Sequence, residues 1–160
     1  EETGYSYGVS SGFGFGKGPG PFRTGGDIVG NKTDAALVEF MKELRGMLGA
    51  RPVTEVELRT AKESLVQRLP GTFASVSAIN GAITGLWLQG LPDGYYQQYA
   101  TAIAPITADD VVRVARRYLD LDRLAIVIVG DRKSIEEPLR RTGIAPMVFL
   151  DIEGNPVDGP

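Results

Sequence analysis

Histidine and cysteine are both absent from this chain of 160 residues. Without imidazole, the chain lacks the ligand that most catalytic zinc sites use, and it lacks the base of Ser-His and Cys-His nucleophile pairs. Any zinc chemistry in which it takes part must therefore draw its metal from residues outside the chain. Without cysteine no disulfide can form, so cysteine usage does not constrain the redox compartment.

Clustered positive charge and long apolar runs are lacking as well. The net charge is −3, and Lys and Arg are scattered, with short pairs such as Arg116-Arg117. Nucleic-acid surfaces usually show a clustered basic excess, so we expect no nucleic-acid partner. The most apolar helix, near residues 71–91, is interrupted by Asn80, Thr84 and Gln89, and we expect no membrane span. We expect a soluble protein, cytoplasmic or periplasmic, and the sequence does not decide between these compartments.

Glycine is abundant, and it occupies every second position from Gly12 to Gly20. This stretch is not a Walker loop, because Gly18 follows Lys17 where Ser or Thr is required, and it lacks the dinucleotide fingerprint. It is better explained as a Gly/Pro loop joining strands over residues 5–15 and 22–29. An acidic tail at 153–160 lacks the spacing of a calcium loop.

Several helices carry local start and stop signals. A helix beginning at Thr33 has a Phe and Met stripe that is typical of a core, and it ends at Gly49. Thr54 followed by Glu57 predicts a capping box. A further helix over 72–89 contains Gly81 and Gly85, whose spacing suggests a close approach by a neighbouring backbone. A helix that opens at Asp131–Ser134 is expected to run through Arg141, shortened late by Pro138, and to stop at Gly143.

The stretch from residue 86 to 131 organises the rest of the chain. Thr107 can cap a helix whose acids at Asp109 and Asp110 suit the positive end of the helix dipole. Residues 124–129 are a continuous apolar run that predicts a strand, buried on both faces or central in a sheet. The stretch contains an ordered series of short motifs: Gly90-Leu91-Pro92, Tyr95-Tyr96 with Tyr99, Ile106-Thr107 with Asp110-Val111, Arg117-Tyr118-Leu119, and Val129-Gly130-Asp131.

This series resembles the C-terminal module of the M16 (pitrilysin/insulinase) zinc metallopeptidases, over nearly the whole chain. The resemblance implies an α+β fold with two layers, a mostly antiparallel sheet and helices on one face. Its strands are expected at residues 5–15, 22–29, 124–129 and 147–150. We expect one domain over residues 1–152 that lacks its N-terminal start, followed by a tail at 153–160.

The resemblance also implies the site residues. In the family an arginine, six intervening residues and a tyrosine enter a strand, and the tyrosine stabilises the oxyanion; Tyr7 fits that register and Tyr5 does not. Substrate contacts are implied at Ser10, Ser11 and Gly12. For Tyr7, a strand aromatic packed in a core is the competing interpretation.

In the family, zinc is held by a His-x-x-Glu-His helix with a distal Glu, which would lie in a catalytic partner module of the same or another chain. The resemblance therefore implies a peptide substrate, no metal in this chain and no activity in the chain by itself. A catalytically inactive subunit of the same fold, which binds peptide or scaffolds an assembly, is the alternative.

Overall fold

The computed structural model describes residues 4–157, except for the side chain of Tyr7. These residues form a two-stranded hairpin followed by six α-helices. The strands are β1 (Ser6–Phe13) and β2 (Phe22–Ile28). The helices are α1 (Thr33–Arg45), α2 (Glu55–Arg68), α3 (Val76–Gln89), α4 (Tyr95–Ile103), α5 (Ala108–Tyr118) and α6 (Arg132–Thr142).

The chain divides into two compact units. The first unit comprises residues 4–10, Gly25–Glu43 and 125–157, and α1 and α6 supply its buried side chains. Those side chains are Ala36, Met41, Ile135 and Leu139. The second unit comprises Ser11–Thr24 and Leu44–Leu124. Its buried side chains are Leu44, Leu58, Ala82, Ile103, Ala115 and Leu119.

The α+β class and the hairpin agree with the sequence, but two expected strands are absent from the sheet. Residues 124–129 and 147–150 are not assigned to a strand, apart from one isolated bridge between Leu150 and Pro156. The prediction was wrong here because a strand exists only where a neighbour receives its N–H and C=O groups. Within residues 4–157 the sheet therefore contains two strands, rather than forming most of a layer.

The helix starts follow from local hydrogen bonds, as the sequence predicts. At α2 the Glu57 N–H donates to Thr54 Oγ1 at 3.2 Å, and the Thr54 N–H donates to Glu57 Oε2 at 2.8 Å. At α5, Thr107 and Asp110 form the same reciprocal pair. Each box satisfies two N–H groups that a helix start would otherwise leave unpaired. Both predicted caps are confirmed.

Two further details differ from the sequence expectations. The helix from Thr33 changes at Gly46 into a π-helical turn, Gly46–Ala50, instead of continuing to Gly49. A Cβ at Gly81 or Gly85 would meet nothing within 4 Å, so no described backbone lies against these two glycines. By contrast, α6 runs to Thr142 with Pro138 inside it and ends at a left-handed Gly143, where the sequence places its stop.

Candidate functional site

All four residues that the resemblance marks as a site lie in β1. Tyr7 contributes its backbone to the strand, and its side chain lies outside the described atoms. Ser10, Ser11 and Gly12 are exposed to solvent. A strand places successive side chains on opposite faces, so a strand by itself cannot present all four on one face. Their roles in substrate and oxyanion binding stay predictions.

The hairpin register changes by one residue beside these positions. Near the strand entry the Val29 N–H donates to the Tyr5 carbonyl at 3.0 Å, and near the tip the Gly14 N–H donates to the Pro21 carbonyl at 2.9 Å. Between these bonds β1 therefore has one residue more than its partner strand, which is the definition of a β-bulge. Gly8 lies in this interval with φ of 151°, which side-chain-bearing residues rarely adopt. A bulge re-aims the side chains that follow it.

A close backbone approach accompanies the bulge. A Cβ at Gly26 would lie 2.1 Å from the Gly8 carbonyl oxygen and 3.2 Å from the Val9 Cα. Only glycine fits at Gly26, because backbone atoms cannot move aside as a side chain can. This approach at Gly26 was not predicted from the sequence. The signal was present in the paired glycines of an otherwise β-prone segment.

Tyr5, at the start of the hairpin, makes contacts that involve none of the four predicted site residues. The Lys32 ammonium lies 5.9 Å from the centre of the Tyr5 ring, within the range of a cation–π contact. Tyr5 is half-buried, and its carbonyl accepts the first ladder bond of the hairpin. These contacts give Tyr5 a structural role that is separate from the role predicted for Tyr7.

A cleft of about 590 Å³ lies in the second unit and contains none of the predicted site residues. It is bounded by the π-helical turn and α5, and it is lined by Gly49, Pro52, Asp109, Val112, Arg113 and Arg116. The cleft is widely open to solvent, unlike the enclosed pockets that bury most of a small ligand. Sequence reasoning missed this cleft because its walls come from segments about sixty residues apart in the chain.

Arg116 is the residue that joins the two walls of the cleft. Its Nε–H donates to the Leu48 carbonyl at 2.7 Å. A Cβ added to Gly49 would lie 2.4 Å from the Arg116 Nη2. The Leu48 carbonyl belongs to the π-helical turn, where a carbonyl freed from the α-helical pattern needs another donor. Arg116 therefore holds the π-helical turn against α5 through this hydrogen bond.

The charges on the α5 wall largely cancel. Arg113 Nη2–H donates to Asp110 Oδ1 at 2.7 Å. That bond, with the hydrogen bonds from Thr107, lowers the pKa of the Asp110 carboxyl to about 2. Asp109 lines the cleft, and its negative carboxylate offsets the positive charges of Arg113 and Arg116 in the same lining. The cleft therefore offers mixed polar contacts rather than a strong field for anions.

In the part of the chain that the structure describes, no group of three or more Asp and Glu side chains comes together as a metal site would require. Of the helices in residues 4–157, none combines the length and the apolar character needed to cross a bilayer.

Comparison with known proteins gives a likeness in fold. No protein-family model matches the chain, and no curated protein matches it either. Among solved structures, the chain is similar to a peptidase M16 inactive domain from Pseudomonas fluorescens, with a TM-score of 0.66 and 24% sequence identity. The match covers 75% of this chain and 28% of that chain, so this chain spans well under two thirds of the neighbour's length. At this identity, the likeness establishes a shared fold.

Proposed function

We propose that this chain is the non-metal-binding half of an M16-type zinc metallopeptidase of the pitrilysin/insulinase kind. In this proposal it closes a substrate chamber over a zinc site that a partner module provides. The partner carries the His-x-x-Glu-His motif, in the same or another chain, and the substrate is a peptide. The zinc ion polarises the scissile carbonyl and activates water when it is bound there.

The observation that carries the proposal is the fold likeness to a peptidase M16 inactive domain. The absence of histidine agrees with it, because a half with no imidazole is suited to a role that requires no zinc ligand. The ordered motifs between Gly90 and Asp131 are independent of the fold comparison and point to the same family. Completion of the two-layer sheet by further strands belongs to the same proposal.

Tyr7 is the residue proposed to act on the substrate. A phenol O–H can donate a hydrogen bond to the oxyanion that forms when water adds to the peptide carbonyl. Such a donor accelerates the reaction because it meets charge that develops only in the transition state. The family register of Tyr7 supports this assignment.

The experiment is reconstitution. The chain is titrated with Zn²⁺ by calorimetry and assayed with a quenched fluorescent peptide, alone and with a separately produced module that carries the zinc motif. We expect no stoichiometric tight zinc and no hydrolysis by the chain alone, and faster hydrolysis by the mixture than by the zinc module alone. Tight zinc binding or peptide hydrolysis by the isolated chain would refute the proposal.

The neighbouring structure is an inactive M16 domain, which favours a second candidate: a subunit that binds peptide or scaffolds an assembly without contributing to catalysis. Tyr7→Phe in the reconstituted mixture separates the two candidates. Loss of one hydrogen-bond donor to an oxyanion typically lowers kcat about 10²- to 10³-fold. Tyr5→Phe is the matched control, because its ring contacts Lys32 and it is not in the catalytic register. An unchanged kcat in Tyr7→Phe would favour the scaffold.

A further inference from the structure

The tip of the hairpin, residues 15–20, is held by very few bonds. Its base is closed by the Gly14 N–H, which donates to the Pro21 carbonyl at 2.9 Å. Among the described residues, no N–H or C=O from residue 15 to 20 takes part in a backbone–backbone hydrogen bond. Every residue of the tip is exposed, and Phe15 is 81% exposed. Backbone with so few bonds and contacts belongs to the least stable part of a fold and opens locally.

The base of the tip is narrow, whereas the residues beyond it are loosely placed. A Cβ on Gly20 would overlap the Gly14 carbonyl oxygen, so only glycine permits the two segments to approach this closely. Gly16 and Gly18, further out, have nothing within 4 Å of an added Cβ. Glycine has the widest choice of backbone conformations. The base therefore fixes where the tip begins, and the outer glycines leave the tip free to pivot.

A cation–π contact joins the tip to α3. The Lys17 ammonium lies 5.7 Å from the centre of the Trp87 ring, within the range of such contacts. Both residues belong to the second unit. Within residues 4–157 Lys17 makes no ion pair, and α3 offers it no carboxylate, because no residue from Val76 to Gln89 is charged. The indole ring is therefore the group that holds Lys17 on α3.

The α3 side of this contact is fixed by the end of the helix. Trp87 lies in the last turn of α3 and is 76% exposed. The Gly90 N–H donates to the Trp87 carbonyl at 3.3 Å. The Leu91 N–H donates to the Leu86 carbonyl at 2.9 Å. These bonds satisfy carbonyls at the C-terminal end of the helix, so any movement between Lys17 and Trp87 comes from the tip.

We propose that residues 15–20 are a flap that closes on α3 through Lys17 and Trp87, and that opens to free the indole ring. An exposed cation–π contact favours the closed flap by about two- to fivefold. The glycines oppose closure, because ordering glycine costs more conformational entropy than ordering any other residue. So small a preference leaves the closed and the open flap both populated. They exchange in nanoseconds to microseconds, as loops do.

Opening of the flap changes one face of α3. Val76, Ile83 and Trp87 follow one another at intervals of seven and four residues, so they lie along one side of the helix. They are 85%, 60% and 76% exposed. The closed flap places the positive charge of Lys17 at the C-terminal end of this apolar stripe, and the open flap removes it. The flap therefore controls both the charge and the accessibility of the stripe at Trp87.

The composition of the chain permits a direct test, because it contains one tryptophan and no cysteine. Gly18→Cys in the full chain, labelled with bimane, puts a single fluorophore on the flap, at a position where an added Cβ meets nothing within 4 Å. Tryptophan quenches bimane on contact, so the short- and long-lifetime amplitudes of bimane report the closed and open populations. Trp87→Phe supplies the unquenched reference, and far-UV circular dichroism checks the fold of each variant.

Three further variants of the labelled chain identify the contact that closes the flap. Lys17→Met removes the cation, and we expect it to lower the closed-to-open ratio about two- to fivefold. Lys17→Arg should preserve the ratio, because a guanidinium also stacks on aromatic rings. Lys133→Met is the matched control, at an exposed lysine on α6 outside the hairpin and α3, and it should leave the ratio unchanged.

Support for the proposal is two lifetime populations in the labelled chain, with the shift toward the open one confined to Lys17→Met. A lifetime equal to that of the Trp87→Phe reference would overturn it, because the tip would then not reach Trp87. A single quenched lifetime would overturn it too, since the tip would be a rigid loop. The same holds for a ratio that Lys17→Met leaves unchanged, or that Lys17→Arg or Lys133→Met lowers equally. The proposal does not depend on the proposed peptidase role, so either can fail alone.

Discussion

Gly49 provides the sharpest test of how the cleft is built. This residue has φ of 129° and ψ of −11°, a conformation that residues with a side chain rarely adopt. It also lies against Arg116, whose Nη2 would be 2.4 Å from an added Cβ. Replacing Gly49 by Ala therefore strains the backbone and displaces the guanidinium that holds the π-helical turn.

The expected loss of stability follows from three terms. The positive φ costs about 1–3 kcal/mol for a residue other than glycine. Displacement of Arg116 loses its hydrogen bond to Leu48, worth about 1 kcal/mol at an exposed position. Alanine restricts the unfolded chain and returns about 0.5 kcal/mol. We expect Gly49→Ala to lower the free energy of unfolding by about 1.5–3.5 kcal/mol.

The measurement is urea unfolding, followed by far-UV circular dichroism at one protein concentration, for Gly49→Ala, Arg116→Ala and the double variant. In the Arg116→Ala background the added Cβ meets no guanidinium, so only backbone strain remains. The cycle should therefore show a coupling of about 1 kcal/mol between the two positions. The coupling separates the steric contact from the strain.

Two results would contradict this account. A Gly49→Ala variant within about 0.5 kcal/mol of wild type would show that the turn accepts a side chain, and additivity within about 0.5 kcal/mol would show that Arg116 does not oppose the Cβ. Gly81→Ala is the matched control, in the interior of α3 with nothing within 4 Å of the new Cβ. It should stabilise the protein by about 0.5–1 kcal/mol, because alanine favours a helix over glycine.

Two other predictions concern the hairpin and α5. Gly26→Ala should open the ladder at Gly8, because the Cβ would lie 2.1 Å from a backbone oxygen; faster amide hydrogen exchange in β1 would verify this, and unchanged exchange rates would contradict it. Asp110 has a folded-state pKa of about 2, below its ordinary 3.8, so it contributes stability above about pH 4 that is lost as the pH falls toward 2. Asp110→Asn should therefore flatten the fall in the urea midpoint between pH 4 and pH 2, and a pH dependence parallel to that of the wild type would show that Asp110 does not contribute to it.

Much of the local structure could be predicted from the sequence. The boxes at Thr54 and Thr107, the stop at Gly143 and the hairpin around the Gly/Pro loop are all present where the residue types indicate them. Each depends on bonds between residues a few positions apart, which the sequence specifies directly. The lack of imidazole is likewise a property of composition alone.

The candidate site was less predictable. The position of Tyr7 in a strand could be predicted, whereas the bulge at Gly8 and the close approach at Gly26 depend on how two strands are aligned. The hydrogen bond from Arg116 to the Leu48 carbonyl joins residues 68 positions apart, and no local pattern in the sequence predicts it. The cleft and the bulge could therefore be recognised only in the three-dimensional structure.

Residues 124–129 separate what a sequence can determine from what it cannot. Their composition alone establishes that the run is apolar, uncharged and suited to an extended conformation. Whether it becomes a strand depends on a neighbour that pairs with its backbone, and within residues 4–157 no such neighbour is present. The sequence determined the helix caps, the hairpin and the missing zinc ligands, because these are local or compositional properties. Only the tertiary structure decided the sheet and the cleft, because both depend on contacts between segments far apart in the chain.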